Sequence, residues 1–176
     1  EEAFQESEAR LINAIESISD GFIYYDSDER LVLCNQKYRD YYPWIDDVLV
    51  SGVKLADVAR TAAERGQDAD GIDDMEAWVE NRLTEFREGR VKHEQHLQDG
   101  RWLLCSEGKT SDGGLVGVRT DITRHKADEA ELLAAKDAAA AAEARLADAV
   151  ENVSEGFALF DKNDSLEMCN SRYRDM

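Results

Sequence analysis

The sequence is poor in proline, in cysteine and in positive charge. Its 176 residues include a single proline, Pro43, and 39 aspartates and glutamates outnumber 21 lysines and arginines, which gives a net charge of −18. A chain this acidic repels phosphates, so we expect no nucleic-acid partner, and anionic membrane surfaces are disfavoured for the same reason. No apolar run approaches the roughly 20 residues that cross a bilayer, so we expect no direct membrane contact from this segment.

The few cysteines also limit the possibilities. Cys34, Cys105 and Cys169 are odd in number and lack the spacing of a metal site. We interpret them as reduced thiols of a cytoplasmic protein, either free in the cytoplasm or the cytoplasmic part of a membrane-anchored one. The acidic loop 68–73 is not predicted to bind calcium, because Val79 stands where that motif needs a bidentate glutamate. No metal site is predicted.

What the sequence does contain is an internal repeat. Residues 8–40 align without a gap with residues 143–175, and the pairs Gly21/Gly156 and Asn35/Asn170 are among the identities. The second copy holds only an entry helix, two strands and the start of a further helix. Because so short a unit cannot bury its own apolar face, we predict that it packs against another surface, such as that of a second chain.

Hydrophobic periodicity predicts the elements of the first copy. Residues 1–20 form an N-terminal helix, which Gly21 is expected to end in a left-handed conformation. A β-hairpin follows over 22–34, and a short helix then begins at Asn35. Further helices are predicted over 54–65 and 73–88, the latter with an acidic start, and a three-strand meander over 91–97, 101–108 and 114–120. This order implies an α+β domain, with helices mainly on one side of an antiparallel sheet.

A long alanine-rich helix follows over 124–153. Its apolar positions recur at alternating spacings of three and four, from Leu132 through Leu146 to Val153, which is a heptad pattern. About 28 helical residues would extend roughly 40 Å. We predict pairing with a second chain along this seam; the alternative is a single surface helix on its own domain. The predicted organisation is therefore a helix over 1–20, a domain over 21–123, a linker over 124–153 and a second, incomplete domain over 154–176.

Three segments resemble PAS domains, the sensory boxes of bacterial signalling proteins. They are the stretch from Gly21 to Asn35, the turn Asp99-Gly100-Arg101-Trp102, and the ending from Gly114 to Thr123. The most specific element is the Asp-Ile-Thr at 121–123, which a charged helix follows. The resemblance is greatest to the PAS domains of sensor histidine kinases of two-component systems and of diguanylate cyclases. It implies a five-stranded antiparallel sheet of spatial order 2-1-5-4-3 with helices that cup one face, and a signal-relay role for Asp121 and Thr123 at the start of the output helix.

The resemblance also implies a cup in which a small molecule can bind. On that basis we assign polar contacts to His93, Gln95, Cys105 and Arg119, and apolar walls to Tyr38, Trp78 and Trp102. The alternative is structural: a histidine with ordinary partners on a half-buried strand, and aromatic residues that belong to the core.

No cofactor is identified. The Asn-Cys-Arg motif of flavin-binding relatives is absent, and the predicted helices 54–65 and 73–88 carry no histidine for a haem. Flavin and haem are both disfavoured.

Two functions therefore remain open. One is a signal-input module that senses a small molecule or relays a signal through its coiled-coil linker; the other is a ligand-free structural module that mediates dimerisation. In both, we expect a homodimer formed through the N-terminal and linker helices. The sequence holds no catalytic motif, so any catalysis is expected in an attached output domain such as a histidine kinase or a diguanylate cyclase.

Overall fold

A computed structural model describes residues 2–89 and 92–175 of the chain. It divides into two compact units, Glu1–Arg124 and His125–Met176. The helices and strands of the described residues, in chain order, are α1 (Glu2–Glu16), β1 (Gly21–Tyr25), β2 (Leu31–Cys34), α2 (Gln36–Tyr41), a 3-10 helix (Pro43–Val48), α3 (Leu55–Glu64), α4 (Met75–Glu88), β3 (Lys92–His96), β4 (Trp102–Lys109), β5 (Leu115–Asp121), α5 (Thr123–Glu151), β6 (Ala158–Phe160), β7 (Leu166–Cys169) and α6 (Ser171–Arg174).

The first unit is built on a five-stranded antiparallel sheet. Its spatial order is β2-β1-β5-β4-β3, so the predicted α+β class and the predicted order 2-1-5-4-3 are both confirmed. The first and last strands of the unit pair at its centre, and β3 lies at one edge. Val91, the predicted first residue of that edge strand, lies outside the described residues.

Strand alternation decides which side chains form the core. On β4, Leu103, Cys105 and Glu107 are buried, whereas the intervening residues are partly exposed. The buried face forms one core with α2, the 3-10 helix 43–48, α3 and α4. Asp74 caps α4 by accepting the Ala77 N–H at 3.0 Å, which confirms the acidic cap predicted from the sequence.

Gly21 corrects one local prediction. Helix α1 already ends at Glu16, and Gly21 is the first residue of β1 rather than a left-handed helix terminus. A Cβ atom at this position would lie 2.9 Å from Cδ2 of Tyr41 and 3.1 Å from Cα of Tyr38. Glycine is needed here because α2 approaches the strand so closely, and not because of its φ angle.

A buried asparagine joins the entry helix to the hairpin. Oδ1 of Asn35 accepts the backbone N–H groups of Phe22 (2.8 Å) and Tyr38 (2.9 Å). Its Nδ2 donates to the carbonyls of Ile15, near the end of α1 (3.2 Å), and Asp20 (2.9 Å). One fully buried side chain therefore fixes the helix end, the strand start and the cap of α2; we call this arrangement the asparagine lock.

The second unit repeats this lock atom for atom. Asn170 accepts from Phe157 (2.9 Å) and Tyr173 (3.0 Å), and it donates to the carbonyls of Val150 (3.3 Å) and Glu155 (2.8 Å). Each partner lies 135 positions after its counterpart in the first unit, which is the offset of the sequence repeat. The local geometry therefore depends on the repeated segment alone.

The apolar face of the second hairpin remains exposed. Phe160, Leu166 and Tyr173 are 50%, 51% and 43% exposed, whereas their counterparts in the first unit are at most 5% exposed. Those counterparts, Tyr25, Leu31 and Tyr38, lie in the main core cluster. The predicted contact of this face with another surface stays a prediction.

The linker is a single helix, α5, which starts one residue before and ends two residues before the predicted bounds of 124–153. None of its residues is buried, and the seam residues Leu132 and Leu146 are 72% and 57% exposed. Among the helices of residues 2–89 and 92–175, none combines the length and the apolar character that a membrane span requires.

Candidate functional site

The space enclosed by the helices above the sheet is almost filled by side chains. The cavity between α3, Phe86 and three of the core tyrosines (Tyr25, Tyr38 and Tyr42) measures about 20 Å³, which is room for about one water molecule. Tyr38 and Tyr42 pack with ring centroids 4.8 Å apart, and both are buried. A metabolite would have to displace these rings in order to enter.

A larger cavity opens beside this core, at the edge of the sheet. It measures about 340 Å³, within the range of small-molecule sites. It lies between α4, β3 and the loop 67–71, which is anchored by a hydrogen bond from the Ala69 N–H to the His96 carbonyl (2.9 Å). The lining residues combine two tryptophans with polar and charged side chains: Asp68, Asp70, Gly71, Trp78, Asn81, Arg82, Glu85, His93, Glu94, Gln95, His96 and Trp102.

A cluster of ionised groups lies buried behind this cavity. The Glu107 side chain is fully buried and accepts a hydrogen bond from Nη2 of Arg82 at 3.0 Å. Nη2 of the fully buried Arg119 lies 2.9 Å from the same oxygen, as an ion pair without hydrogen-bond alignment. One carboxylate therefore holds two guanidinium groups, one from α4 and one from β5. We call Arg82, Glu107 and Arg119 the ion cluster.

A chain of hydrogen bonds links the ion cluster to the cavity wall. Nε of Arg119 donates to the Tyr42 hydroxyl (3.0 Å), which donates to Oε1 of Gln95 (2.9 Å). Nε2 of Gln95 donates to Asp68 at 3.2 Å, and the other carboxylate oxygen of Asp68 accepts from the Trp78 indole at 2.6 Å. Burial raises the pKa of Tyr42 well above its ordinary value, so the phenol keeps the proton that it donates.

His93 stands between the cavity and the ion cluster. It pairs with Cys105 across the sheet, and Cys105 pairs with Arg119, so the three share the face that points towards the helices. Its Nε2 lies 3.0 Å from Nη1 of Arg82, and its Nδ1 lies 3.9 Å from Oε2 of Glu107. Burial lowers the pKa of His93, and the neighbouring Arg82 guanidinium lowers it further.

Six of the seven predicted ligand contacts come together around these groups. His93, Gln95 and Trp78 line the larger cavity, whereas Tyr38, Cys105 and Arg119 lie deeper, in the core. Trp102 is placed differently, because it stacks on His96 at 4.3 Å on the opposite face of the sheet and reaches only the rim of the cavity.

The two predicted relay residues meet where the sheet leads into α5. Asp121 is the last residue of β5, and its carboxylate accepts the N–H of Thr123, the first residue of the helix, at 2.9 Å. The Thr123 hydroxyl accepts the N–H of Trp102 at 3.0 Å, and the Ile122 N–H donates to the carbonyl of Trp102 at 2.9 Å. The start of the helix is thus tied to β4 as well as to β5.

Sequence reasoning does not identify Arg82 and Glu107 as members of the site. Strand alternation offers a signal for Glu107, which stands two residues after Cys105 and therefore shares its inward face. No comparable signal exists for Arg82, because an arginine on an amphipathic helix is normally expected in solvent.

Comparison with known families matches both copies of the repeat. A family model described as the PAS fold matches residues 15–130, and a second one, described as PAS domain, matches residues 144–176. The first match covers the whole sheet of the first unit.

Individual relatives include one curated protein and several solved structures. The chain is 34% identical over 125 residues to the non-motile and phage-resistance protein of Caulobacter vibrioides; this covers 71% of the chain but 13% of that protein. It resembles the PAS domain of Bordetella pertussis BvgS (20% identity, TM-score 0.44, 76% of this chain and 98% of that one). It also resembles a domain of a sensory box sensor histidine kinase/response regulator from Geobacter sulfurreducens (17%, TM-score 0.43, 69% and 97%).

Proposed function

The chain belongs to the PAS family of sensory signal-input modules, and from this premise we propose that its first unit responds to a small molecule bound in the cavity beside β3 and passes the response to α5. The observation that carries the proposal is the contrast between the two cavities, about 340 Å³ at the sheet edge against about 20 Å³ inside the cup. The wall of the larger cavity is joined to the core by the chain through Gln95, Tyr42 and Arg119.

The route towards the output helix is short. Arg119 lies on β5, two residues before Asp121, and Cys105 lies on β4, three residues after Trp102. Strand β4 begins, and β5 ends, at the contacts that hold the first residue of α5. A ligand that changes the spacing between α4 and the sheet would therefore act on the strands that fix the start of the helix.

A pair of bulky substitutions on α4 tests where the ligand binds. Asn81 lines the cavity, whereas its neighbour Glu80 is exposed and lies outside the lining. Native mass spectrometry and calorimetry after exposure to a size-filtered metabolite extract should show a retained compound and a raised melting temperature for the wild type and Glu80→Trp, and neither effect for Asn81→Trp. Retention by Asn81→Trp would place the site elsewhere, and no retention by the wild type would reject small-molecule sensing.

The relay has its own test in the same experiment. Ligand should change the hydrogen exchange of the first turn of α5, and Asp121→Ala should remove that change while the compound is still retained. An unchanged exchange response in Asp121→Ala would contradict the relay role of this carboxylate.

The second candidate function, a ligand-free module that dimerises, is favoured by a separate observation. Helix α5 buries none of its residues in the single chain, although Leu132 and Leu146 follow its heptad spacing. We propose that α5, together with α1, pairs with a second copy. Leu132→Glu should lower the mass measured by sedimentation towards 19.8 kDa, whereas Leu133→Glu, at a position that is also exposed but lies off the seam, should not. A concentration-independent monomer in the wild type would reject the dimer.

A further inference from the structure

The hydrogen bonding of His93 fixes its protonation state. Nη1 of Arg82 carries only hydrogen-bond donors and lies 3.0 Å from Nε2 of the imidazole. Nε2 must therefore accept, which it does only in a neutral ring with its proton on Nδ1. Nε2 therefore faces Arg82 on α4, whereas Nδ1 faces Glu107 on β4.

The proton on Nδ1 has no partner. Among the described residues, the buried side-chain atoms without a hydrogen bond are Nδ1 of His93, Oε2 of Glu107 and Nη2 of Arg119. The first two are a donor and an acceptor that lie 3.9 Å apart, about 1 Å beyond hydrogen-bond distance. All three belong to His93 and the ion cluster, so the unsatisfied polar groups are concentrated at one point of the fold.

Proton uptake changes which hydrogen-bond partners the His93 ring can have. An imidazolium donates through both nitrogens, so the contact of Nε2 with Arg82 becomes a repulsive contact between two donors and two positive charges. Two carboxylates are in reach instead: Oε2 of Glu85 lies 3.8 Å from Nε2, and Oε2 of Glu107 lies 3.9 Å from Nδ1. We propose that His93 is a proton-binding input of this domain, whose protonation exchanges Arg82 for Glu85 and Glu107 and so shifts α4 against the sheet.

The charged groups around His93 come from every element packed against it. Helix α4 supplies Arg82 and Glu85, β4 supplies Glu107, and β5 supplies Arg119. The loop 67–71 adds Asp68 and Asp70 along the same cavity. Burial of the ring lowers the pKa of His93, and the guanidinium groups of Arg82 and Arg119 lower it further. The exchange is therefore expected at a pH below the ordinary histidine pKa of about 6.5.

The exchange has a mechanical consequence because Arg82 bridges two elements. Its Nη1 binds Glu85 on its own helix at 2.8 Å, and its Nη2 binds Glu107 on the sheet. A proton on His93 adds a competitor for both carboxylates and a like charge next to the guanidinium. This input requires no bound metabolite, so it goes beyond the small-molecule response proposed above.

Nuclear magnetic resonance of the full chain tests the proposal. At pH 8 the nitrogen-15 shifts of His93 should show the Nδ1–H tautomer, and on titration to pH 4.5 the Arg82 side chain and the α4 amides should move with the same midpoint as the ring. His93→Gln keeps an acceptor for Arg82 but cannot titrate, so the α4 titration should be lost. His125→Gln, on α5 and outside the lining of the cavity, should leave it unchanged.

Two results would overturn the proposal. The first is the Nε2–H tautomer at pH 8, which is incompatible with acceptance from Arg82. The second is an α4 titration that persists in His93→Gln, which would assign the response to the carboxylates alone. Neither result depends on whether a metabolite binds the cavity, so the small-molecule proposal is judged separately.

Discussion

Removal of the side chain of Asn35 should destabilise the first unit far more than an ordinary polar substitution. Asn35→Ala leaves two backbone N–H groups without an acceptor and two carbonyls without that donor, and it removes the cap of α2. Each buried unsatisfied group costs about 1–3 kcal/mol, and a lost cap about 1 kcal/mol. Since water can reach some of these groups, we expect a total loss of about 3–5 kcal/mol, which is a large part of a typical domain stability of about 5–15 kcal/mol.

The repeat supplies a matched control for this experiment. Asn170→Ala breaks the same four contacts in the second unit. All three tryptophans, Trp44, Trp78 and Trp102, belong to the first unit, so urea denaturation followed by tryptophan fluorescence reports on that unit alone. Asn170→Ala should change the free energy of unfolding of the first unit by less than about 0.5 kcal/mol. A loss below about 1 kcal/mol for Asn35→Ala, or equal losses for both variants, would refute the reasoning.

Two further predictions concern the ion cluster and its neighbour. Glu107→Gln leaves the buried guanidinium group of Arg119 without a counter-charge and leaves Arg82 with Glu85 alone, so it should lower the free energy of unfolding by about 3–5 kcal/mol. Glu88→Gln, on the exposed face of α4, should have little effect; similar values for both would show that the cluster is not stabilising. Because the folded state lowers the pKa of His93, the unfolded chain takes up the proton first as the pH falls. The stability that neutral His93 contributes is therefore present above about pH 6.5 and lost below it. In urea denaturation between pH 8 and pH 5, the free energy of unfolding should decline less steeply with falling pH for His93→Gln than for the wild type; parallel curves would contradict this.

The sheet could be predicted from the sequence because its signals are local. Two short apolar runs on either side of the acidic turn 26–29 mark β1 and β2, and glycine-containing turns such as Asp99-Gly100 separate the strands of the meander. The strand order 2-1-5-4-3 is different, because it followed from the family resemblance and not from periodicity. The role of Gly21 was wrongly predicted, because a sequence does not distinguish a glycine that permits close packing from one that permits a positive φ.

The candidate site was predictable only in part. The inward face of β3 placed His93 and Gln95 together, and the pairing of strands brought Cys105 and Arg119 beside them. The sequence placed Trp78 of α4 at the site, but the pairing of Arg82 with Glu107 could not be foreseen, because the two residues are 25 positions apart and no local pattern encodes their contact. Filling of the cup by Tyr42 depends likewise on packing in three dimensions.

The duplicated asparagine lock has a consequence for how such chains can grow. Each copy needs only the last turn of an incoming helix and the hairpin that follows it, and Asn35 and Asn170 satisfy the same backbone groups with no help from the remainder of the sheet. A recombination breakpoint placed further upstream in the helix would leave the joint intact whatever domain preceded it. The lock is thus a portable splice point, at which evolution or an engineer can append a module without redesigning its entrance.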